Sequence, residues 1–518
     1  MEPSSDDGEI ASDPKSNPHS MEPGGGEKRA KLSSDGATAG SEDRLSALPD
    51  DILVLILLRL DTNAAARTSV LSHRWRRVWT LLPDLFFFSA PDPHQIGTAL
   101  EAHEAALRSL FVGTRDAPPD SVAAWLPLAA RRLSGFLFFQ NIEQARGAQE
   151  GDDEETAQGG TVELPCLERA TNVSLDLGFL GVAVPRSGVF ARLTELFLAR
   201  VCLNGPGELG DVVSTPRCPL LRKLTVRDAR GLDNLAIHSD SLQQVELNDL
   251  RRLRQLTVVA PALKNLKVTH CFFYSRNEPV ASISAPQLVT LAWTDPYDPS
   301  SVHLGEMKRL QSLSPFFFVV YGQHVMPHND SCLSLLQRFK VVERLILTLA
   351  YLWKIDHYEY MMEDMTMLPG VTFLHLNVLA NGHAFGASAF HVLRMCSGVR
   401  RFKLTLLGPT DVEAQTTCPS GCICSEHQNW ETEQLSLNRL REVEIIQLRG
   451  SEHEVNFVKQ LLKWATLLEK MTVTFDNSLT ESVAKELTQV LRSLSRPEVH
   501  VEILTYKDMI MKMCVSED

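Results

Sequence analysis

The sequence predicts an α/β protein in which a helical N-terminal unit leads into a long repeat solenoid closed by an αβ cap. Three observations carry that expectation. Between Leu45 and Leu82 apolar residues recur at helical spacing. Beyond residue 160 a short pattern, apolar-x-x-apolar-x-apolar, returns again and again. After residue 450 helical and alternating patterns take turns.

At 518 residues the chain exceeds one ordinary core, so it needs several domains or an extended array. Hydrophobic residues at 44% and charged residues at 22% supply enough apolar material for a large globular core. The longest apolar runs, Ile52 to Leu58 and Phe316 to Val320, fall short of the roughly 18 residues a membrane span needs. The opening MEPSSDDGEI puts acid where a signal peptide carries basic charge, which speaks against secretion by that route. Ten cysteines, mostly scattered singly, suit a reducing compartment, nucleus or cytoplasm. A net charge of −13 argues against nucleic acid as the main ligand.

Residues 1–43 are rich in Ser, Gly, Asp, Glu and Pro and read as a disordered tail, because they hold too little apolar surface to offset ordering entropy. Within the tail, Lys28-Arg29-Ala30-Lys31 reads as a nuclear import signal or as a solvated charge run. Pro49 suits a first helical turn, and Ile52, Leu53, Ile56, Leu57 and Leu60 follow at helical spacing. Asp61 to Asn63 brings turn and cap residues. A second helix is expected over Ala64 to Leu82, with Val70, Leu71, Trp75, Val78 and Trp79 on one side and Pro83 as its stop. Helical patterns around Glu101 to Leu110 and Ser121 to Leu133, with a strand at Phe136 to Phe139, make 84–160 a helical linker region. Its acidic stretch Gly147 to Gly160 reads as a mobile loop.

The repeat pattern stands as Leu193-Leu196-Leu198, Leu221-Leu224-Val226, Leu242-Val245-Leu247, Leu263-Leu266-Val268 and Leu288-Leu291-Trp293. It continues as Val342-Leu345-Leu347, Val371-Leu374-Leu376, Val399-Phe402-Leu404, Leu440-Val443-Ile445 and Leu468-Met471-Val473. Most intervals lie between 21 and 29 residues, the range of leucine-rich repeats. The longer gaps after Leu288 and Val399 are expected to hold an insertion or a degraded copy. Each motif makes a short strand with inward alternate side chains, preceded by a leucine that fills the bend, and copies must stack to share one core. Between 221 and 268 further copies at Leu232-Leu235-Ile237 and Leu253-Leu256-Val258 bring the spacing to ten or eleven residues. No helix fits in that interval. Two strands per coil, building two parallel sheets, are expected there; a β-sandwich is the competing arrangement.

The end of the chain reads differently. Glu454 to Ala465 has a helical face of Val455, Val458, Leu461, Leu462 and Ala465, followed by a strand at Met471 to Phe475. Ser478 with Glu481 reads as a capping box opening another helix, and Val499, Val501 and Ile503 alternate as a closing strand. The division is thus a tail over 1–43, the helical unit over 44–83, the linker region over 84–160, the solenoid over 161–434, the cap over 435–510 and a tail over 511–518.

The segment Asp43 to Leu82 resembles an F-box, through Leu48-Pro49, the apolar Ile52, Ile56 and Leu60, then Val70-Leu71-Ser72 and the tryptophans Trp75 and Trp79. With repeats following it and LREVEIIQLRGSEHEVNFVKQLLKWATLLEKMTVTF at 440–475, the chain resembles the plant, grass-type F-box proteins with leucine-rich repeats and an FBD-like C-terminal region. That resemblance implies the substrate-recognition subunit of a Skp–cullin–F-box ubiquitin ligase, a non-catalytic receptor whose repeats hold the target protein. By position it implies that Leu48, Pro49, Ile52, Ile56, Leu60, Val70, Leu71 and Trp75 form or support the surface for a Skp-type adaptor, with Trp75 exposed. It also sets the basic run Arg74 to Arg77 against an acidic partner. The competing function is a repeat scaffold or ligand sensor with no part in ubiquitin transfer.

Other chemistry is thinner. Gly205-Pro-Gly207-Glu-Leu-Gly210 spells a dinucleotide fingerprint, but Pro216 and Pro219 follow where a helix is required, so it reads as an inter-repeat loop. Cys418, Cys422, Cys424 and His427 are soft ligands within ten residues. C-x-C is awkward for one ion and no second knuckle is evident, so reduced thiols without metal are expected. No G-x-S-x-G, H-E-x-x-H or Walker loop occurs, and no cofactor is expected.

Overall fold

The computed structural model describes residues 45, 47–88, 93–142, 160–203, 208–272, 279–323, 326–355, 357–408, 421–425 and 428–504. The expected tails, most of the acidic loop, Gly205, Gly207, Cys418 and His427 lie outside the described residues. Contacts divide the chain into a unit ending at Pro49 and a unit from Asp50 onward.

In the second unit, strands from Asp84–Phe87 to His500–Leu504 lie in parallel in one 18-stranded sheet, successive repeats side by side, with the short strands Thr161–Glu163 and Phe318–Val319 each paired only to the following repeat's strand. The register keeps equivalent motif positions together. The second apolar residue forms a column: Leu196 pairs Leu224, then Val245, Leu266, Leu291, Leu313, Leu345, Leu374, Phe402, Val443 and Met471. Every member of that column is buried.

A two-part backbone device repeats before most strands of the main sheet. The first motif residue closes a tight turn, its N–H donating three residues back, as in Leu221 to Cys218, Leu263 to Ala260 and Val371 to Leu368 (3.3, 3.1 and 3.2 Å). The next residue donates to its equivalent in the preceding repeat: Gln243 to Arg222 and Lys264 to Gln243 at 2.8 Å each, and so on to His500 and Glu469 at 2.9 Å. The leucine filling the bend is therefore seated where the chain turns and docks on its neighbour.

Two strands per coil occur where the short spacing predicts them. Asn234–His238, Gln255–Val259, Val280–Ser284 and Val302–Leu304 form a second parallel sheet, with Leu235, Leu256, Ala281 and Val302 in line. From Pro327–Arg338 onward helices take that place, among them Gly386–Met395, Glu452–Trp464 and Glu481–Leu494. Of the two long gaps, the first holds a degraded copy, Ser312–Ser314, in register between Thr290–Thr294 and Arg344–Ala350. The second holds an insertion, since Arg401–Leu407 pairs directly with Glu442–Leu448.

Four expectations are corrected. The helical linker over 84–160 instead supplies three strands of the main sheet, Asp84–Phe87, Leu107–Arg115 and Leu133–Ile142, with helices Pro93–Ala102 and Pro119–Arg132 between them. The cause is visible in the sequence, because Leu82-Leu85-Phe87 and Leu107-Leu110-Val112 carry the repeat motif and all six side chains are buried. The helix expected over Ala64 to Leu82 is broken into Thr62–Arg67, Trp75–Val78 and single 3-10 turns. The break falls at Ser72, whose Oγ accepts from Trp75 N (3.4 Å), a side-chain alternative to continuing the helix. The Ser478–Glu481 capping box does not form, because Ser478 bonds Asp476 from both its N–H and its hydroxyl. A capping box stands instead at Ser451 and Glu454. Finally, Trp75 is buried, only 8% exposed.

The register makes two tests available. Leu266→Asp places a charge in the buried column and should lower stability by about 4 kcal/mol or more, whereas Asn265→Asp next to it, on the exposed side, should change little. Urea denaturation of both variants checks this, and equal midpoints would refute the register. Burial, with Lys403 nearby, pushes the His375 imidazole down to about 4. Its ring nitrogen Nε2 lies 2.9 Å from Thr405 Oγ1. The folded state then binds fewer protons than the unfolded chain between the ordinary histidine value of 6.5 and about 4, so stability present above pH 6.5 drains as pH falls through that window. A thermal melt series should show a shallower acid decline in His375→Gln than in the parent. Identical declines would contradict it.

Candidate interaction site

The helix Asp50–Leu57 is apolar on two sides. Leu53 and Leu57, one turn apart, are buried at 0% and 1% exposure and join Ala65, Val78, Leu82 and Trp75 in the core of the helical unit. Ile52, Leu55 and Ile56, with Leu60 a turn on, point the other way and remain 40%, 58%, 40% and 41% exposed. Val70 and Leu71, at the end of the 3-10 turn Thr68–Val70, are 84% and 65% exposed. Among the described residues, large apolar side chains this exposed, on the helix and at the 3-10 turn, are what a docking surface looks like.

The stripe is held rigidly from behind. Asp61 Oδ1 caps the second helix by accepting from Ala64 N (2.6 Å), and the buried Thr62 hydroxyl accepts from Phe86 N (2.7 Å) on the first strand. The buried His103 ring donates from Nε2 to Leu82 O (2.6 Å), tying the last helical turn to the solenoid, and burial holds this imidazole below its ordinary range. Of the basic run, Arg74 pairs with Asp50 (2.6 Å) and Arg77 with Glu104 (2.9 Å), while Arg76 is exposed. Two of its arginines thus serve the unit itself.

Among the nominated residues, Ile52, Ile56, Leu60, Val70 and Leu71 are exposed and Trp75 supports them from within. In the unit ending at Pro49, Leu48 is half-buried, its N–H bonded to Leu45 O (3.2 Å), and Pro49 is exposed. Leu55 was not nominated, although its spacing from Ile52 places it on the same helical face. A second missed feature is an aromatic ladder across the first strands. Phe86 stacks on Phe111 (4.7 Å between centroids), which meets Phe136 edge-on (5.3 Å) and Phe138 at 6.1 Å, all on the half-buried side of the sheet.

The cysteine-bearing insertion folds back on the repeats. Cys422 and Cys424, each 3% exposed, come together with His383, whose ligand atoms and theirs lie within 4.8 Å of one another. His383 follows the strand Phe373–Leu379 and was missed because nearly forty residues of chain separate it from the cysteines. The dinucleotide-like Gly210 has a packing explanation: a Cβ there would sit 2.2 Å from Ala236 O.

Comparison with known proteins agrees with this geometry. Residues 45–87 match the F-box domain, and residues 158–308 match the leucine-rich repeats described for FBD-associated F-box protein At5g56370. The chain is 32% identical over 293 residues to the F-box/FBD/LRR-repeat protein At4g03220 of Arabidopsis thaliana, covering 54% of this chain and 57% of that one. It is 30% identical over 256 residues to F-box/FBD/LRR-repeat protein At2g04230 and 27% identical over 241 residues to FBD-associated F-box protein At3g52670, both of Arabidopsis thaliana, each match covering 44% of this chain and 53% and 54% of the relatives. The matches thus span about half the length of these relatives. The two-sided helix, the parallel repeat sheet and the paired matches agree: the chain carries an F-box match at 45–87 and a leucine-rich-repeat match at 158–308, and it is similar to F-box proteins with leucine-rich repeats, FBD-associated members among them.

Proposed function

We propose that this protein is the substrate-recognition subunit of a Skp–cullin–F-box type ubiquitin ligase. The observation that carries the reading is the exposure of Ile52, Leu55, Ile56, Leu60, Val70 and Leu71, which no described residue covers. Leu48 and Pro49 are assigned as the adaptor-binding start of the F-box, and Trp75 as internal support of the helices after it. Burying such a stripe against a complementary apolar surface is favourable at about 25 cal/mol per Å².

The repeats hold the target, in this reading, on a surface that starts with the aromatic ladder of Phe86, Phe111, Phe136 and Phe138. Aromatic side chains give large contact areas at low entropy cost and are enriched in interface hot spots. The segment 435–510, with its helices and closing strand, is assigned as the FBD-like cap. Catalysis by this subunit would consist of proximity: a target held beside the ubiquitin-loaded E2 presents its lysine at a high effective concentration. The nucleus or cytoplasm is the expected setting, and among the described residues no helix is long and apolar enough to cross a membrane.

Leu71→Asp and Ile56→Asp change exposed side chains, so both variants should fold and melt like the parent. Each should weaken binding of a Skp-type adaptor at least about tenfold in calorimetric titration, roughly 1.4 kcal/mol. Leu48→Ala with Pro49→Ala should do the same. Parent-like affinity in all three would remove the adaptor assignment. Accumulation of a bound protein when the chain is depleted separates the ligase receptor from a scaffold, for which captured proteins would keep their levels.

A further inference from the structure

We propose that His383, Cys422 and Cys424 form a structural zinc site that fastens the insertion after Arg401–Leu407 to the repeat before it. The inference stands apart from the functional reading above and starts from geometry. His383 Nδ1 and Cys422 Sγ lie 3.5 Å apart, and Cys424 Sγ completes a triangle in which all ligand atoms lie within 4.8 Å of one another. A tetrahedral zinc with bonds of about 2.3 Å to sulfur and about 2.0 Å to nitrogen sets neighbouring S and N ligands about 3.5 Å apart. The His383–Cys422 edge therefore has the length of an edge of a zinc tetrahedron, and Cys424 Sγ lies within 4.8 Å of both.

Both objections that the sequence raises against metal are met by the fold. C-x-C was awkward as long as its thiols had to converge along an extended chain. Here Ile423–Ser425 is a 3-10 turn, and the two sulfurs fall within ligand distance of each other. The missing second knuckle is His383, brought in by the turn between Phe373–Leu379 and Gly386–Met395, where its own N–H is fixed to Ala380 O (2.9 Å). Its ring lies alongside that of Tyr351 (6.0 Å between centroids, 20° between planes), and the Tyr351 hydroxyl is bonded to Ser388 (2.7 Å) on the helix beyond.

The surroundings suit a structural ion. All three side chains are buried, at 3% exposure each, which denies access to a substrate. The set of two thiols and one imidazole is soft and leaves a fourth position for water or a further donor. Beside it, Trp430 is wedged so closely against Gly386 that a Cβ on that glycine would collide with the indole. Trp430 also packs edge-on to Trp464 (5.8 Å). The insertion is thus pinned at Trp430, and a metal at Cys422 and Cys424 would hold its other flank.

The full-length chain, expressed in zinc-supplemented medium and purified without chelator, should carry about one zinc by elemental analysis. Replacing zinc by cobalt(II) should give a thiolate charge-transfer absorption and the visible bands of a tetrahedral ion. Chelation should lower the melting temperature of the parent. His383→Ala and Cys422→Ser should each lose most of the zinc and the cobalt spectrum, while Cys332→Ser, a buried cysteine elsewhere, keeps both. If the variants fail to fold, the parent alone decides through its zinc content and cobalt spectrum. A parent that carries under about a tenth of an equivalent and takes up neither added zinc nor cobalt overturns the site. So do folded His383→Ala and Cys422→Ser proteins that bind metal like the parent.

Discussion

The structure depends on one constraint: the repeat strands from Glu195–Leu203 onward keep one parallel register, motif position against motif position. Each of these repeats adds a backbone donor reaching back to the preceding one, from Arg222 to Thr194 through His500 to Glu469, and most add a three-residue turn before it. Side chains alternate across a strand, so a slip of one residue would turn the whole column of Leu224, Val245, Leu266 and Leu291 outward. The register also fixes where variation is allowed. Behind the sheet, a second strand, a helix or an insertion can follow, provided the next leucine returns to its place in the column.

The helical unit takes its rigidity from the same ladder. Leu82 lies inside the F-box match at 45–87 and is also the first motif residue of the first repeat, so the two overlap. Thr62 ties the helices to the strand Asp84–Phe87, and His103, just after the helix Pro93–Ala102, ties Leu82 at their end. An adaptor seated on the outward stripe would then hold the aromatic ladder at a fixed distance and angle, which is the mechanical requirement for presenting a target.

Much of this was legible in the sequence, and the failures have particular causes. The repeat motif gave fold, register and even the change to two strands per coil, because leucine spacing encodes register directly. The first repeats escaped notice because Leu82-Leu85-Phe87 adjoins a helix and Leu107-Leu110-Val112 follows an amphipathic stretch; helical periodicity masked the shorter pattern. Ser478 lost its cap role to Asp476, a competitor two residues away. The resemblance implies an exposed Trp75, and helical spacing sets it on one side with Leu71; the break at Ser72 separates the two, leaving Leu71 exposed and Trp75 buried. His383 was out of reach for any local motif, since only the stacking of repeats brings it to Cys422.

The central claim is that a rigid F-box face, continuous with the repeats, is free to take an adaptor. Hydrogen exchange on the full chain with and without a Skp-type adaptor tests it most directly. The account predicts added protection over the helices between Ile52 and Leu71, with the strands from Leu107 onward unchanged. Protection spread through the repeats, or none over the helices, would contradict it.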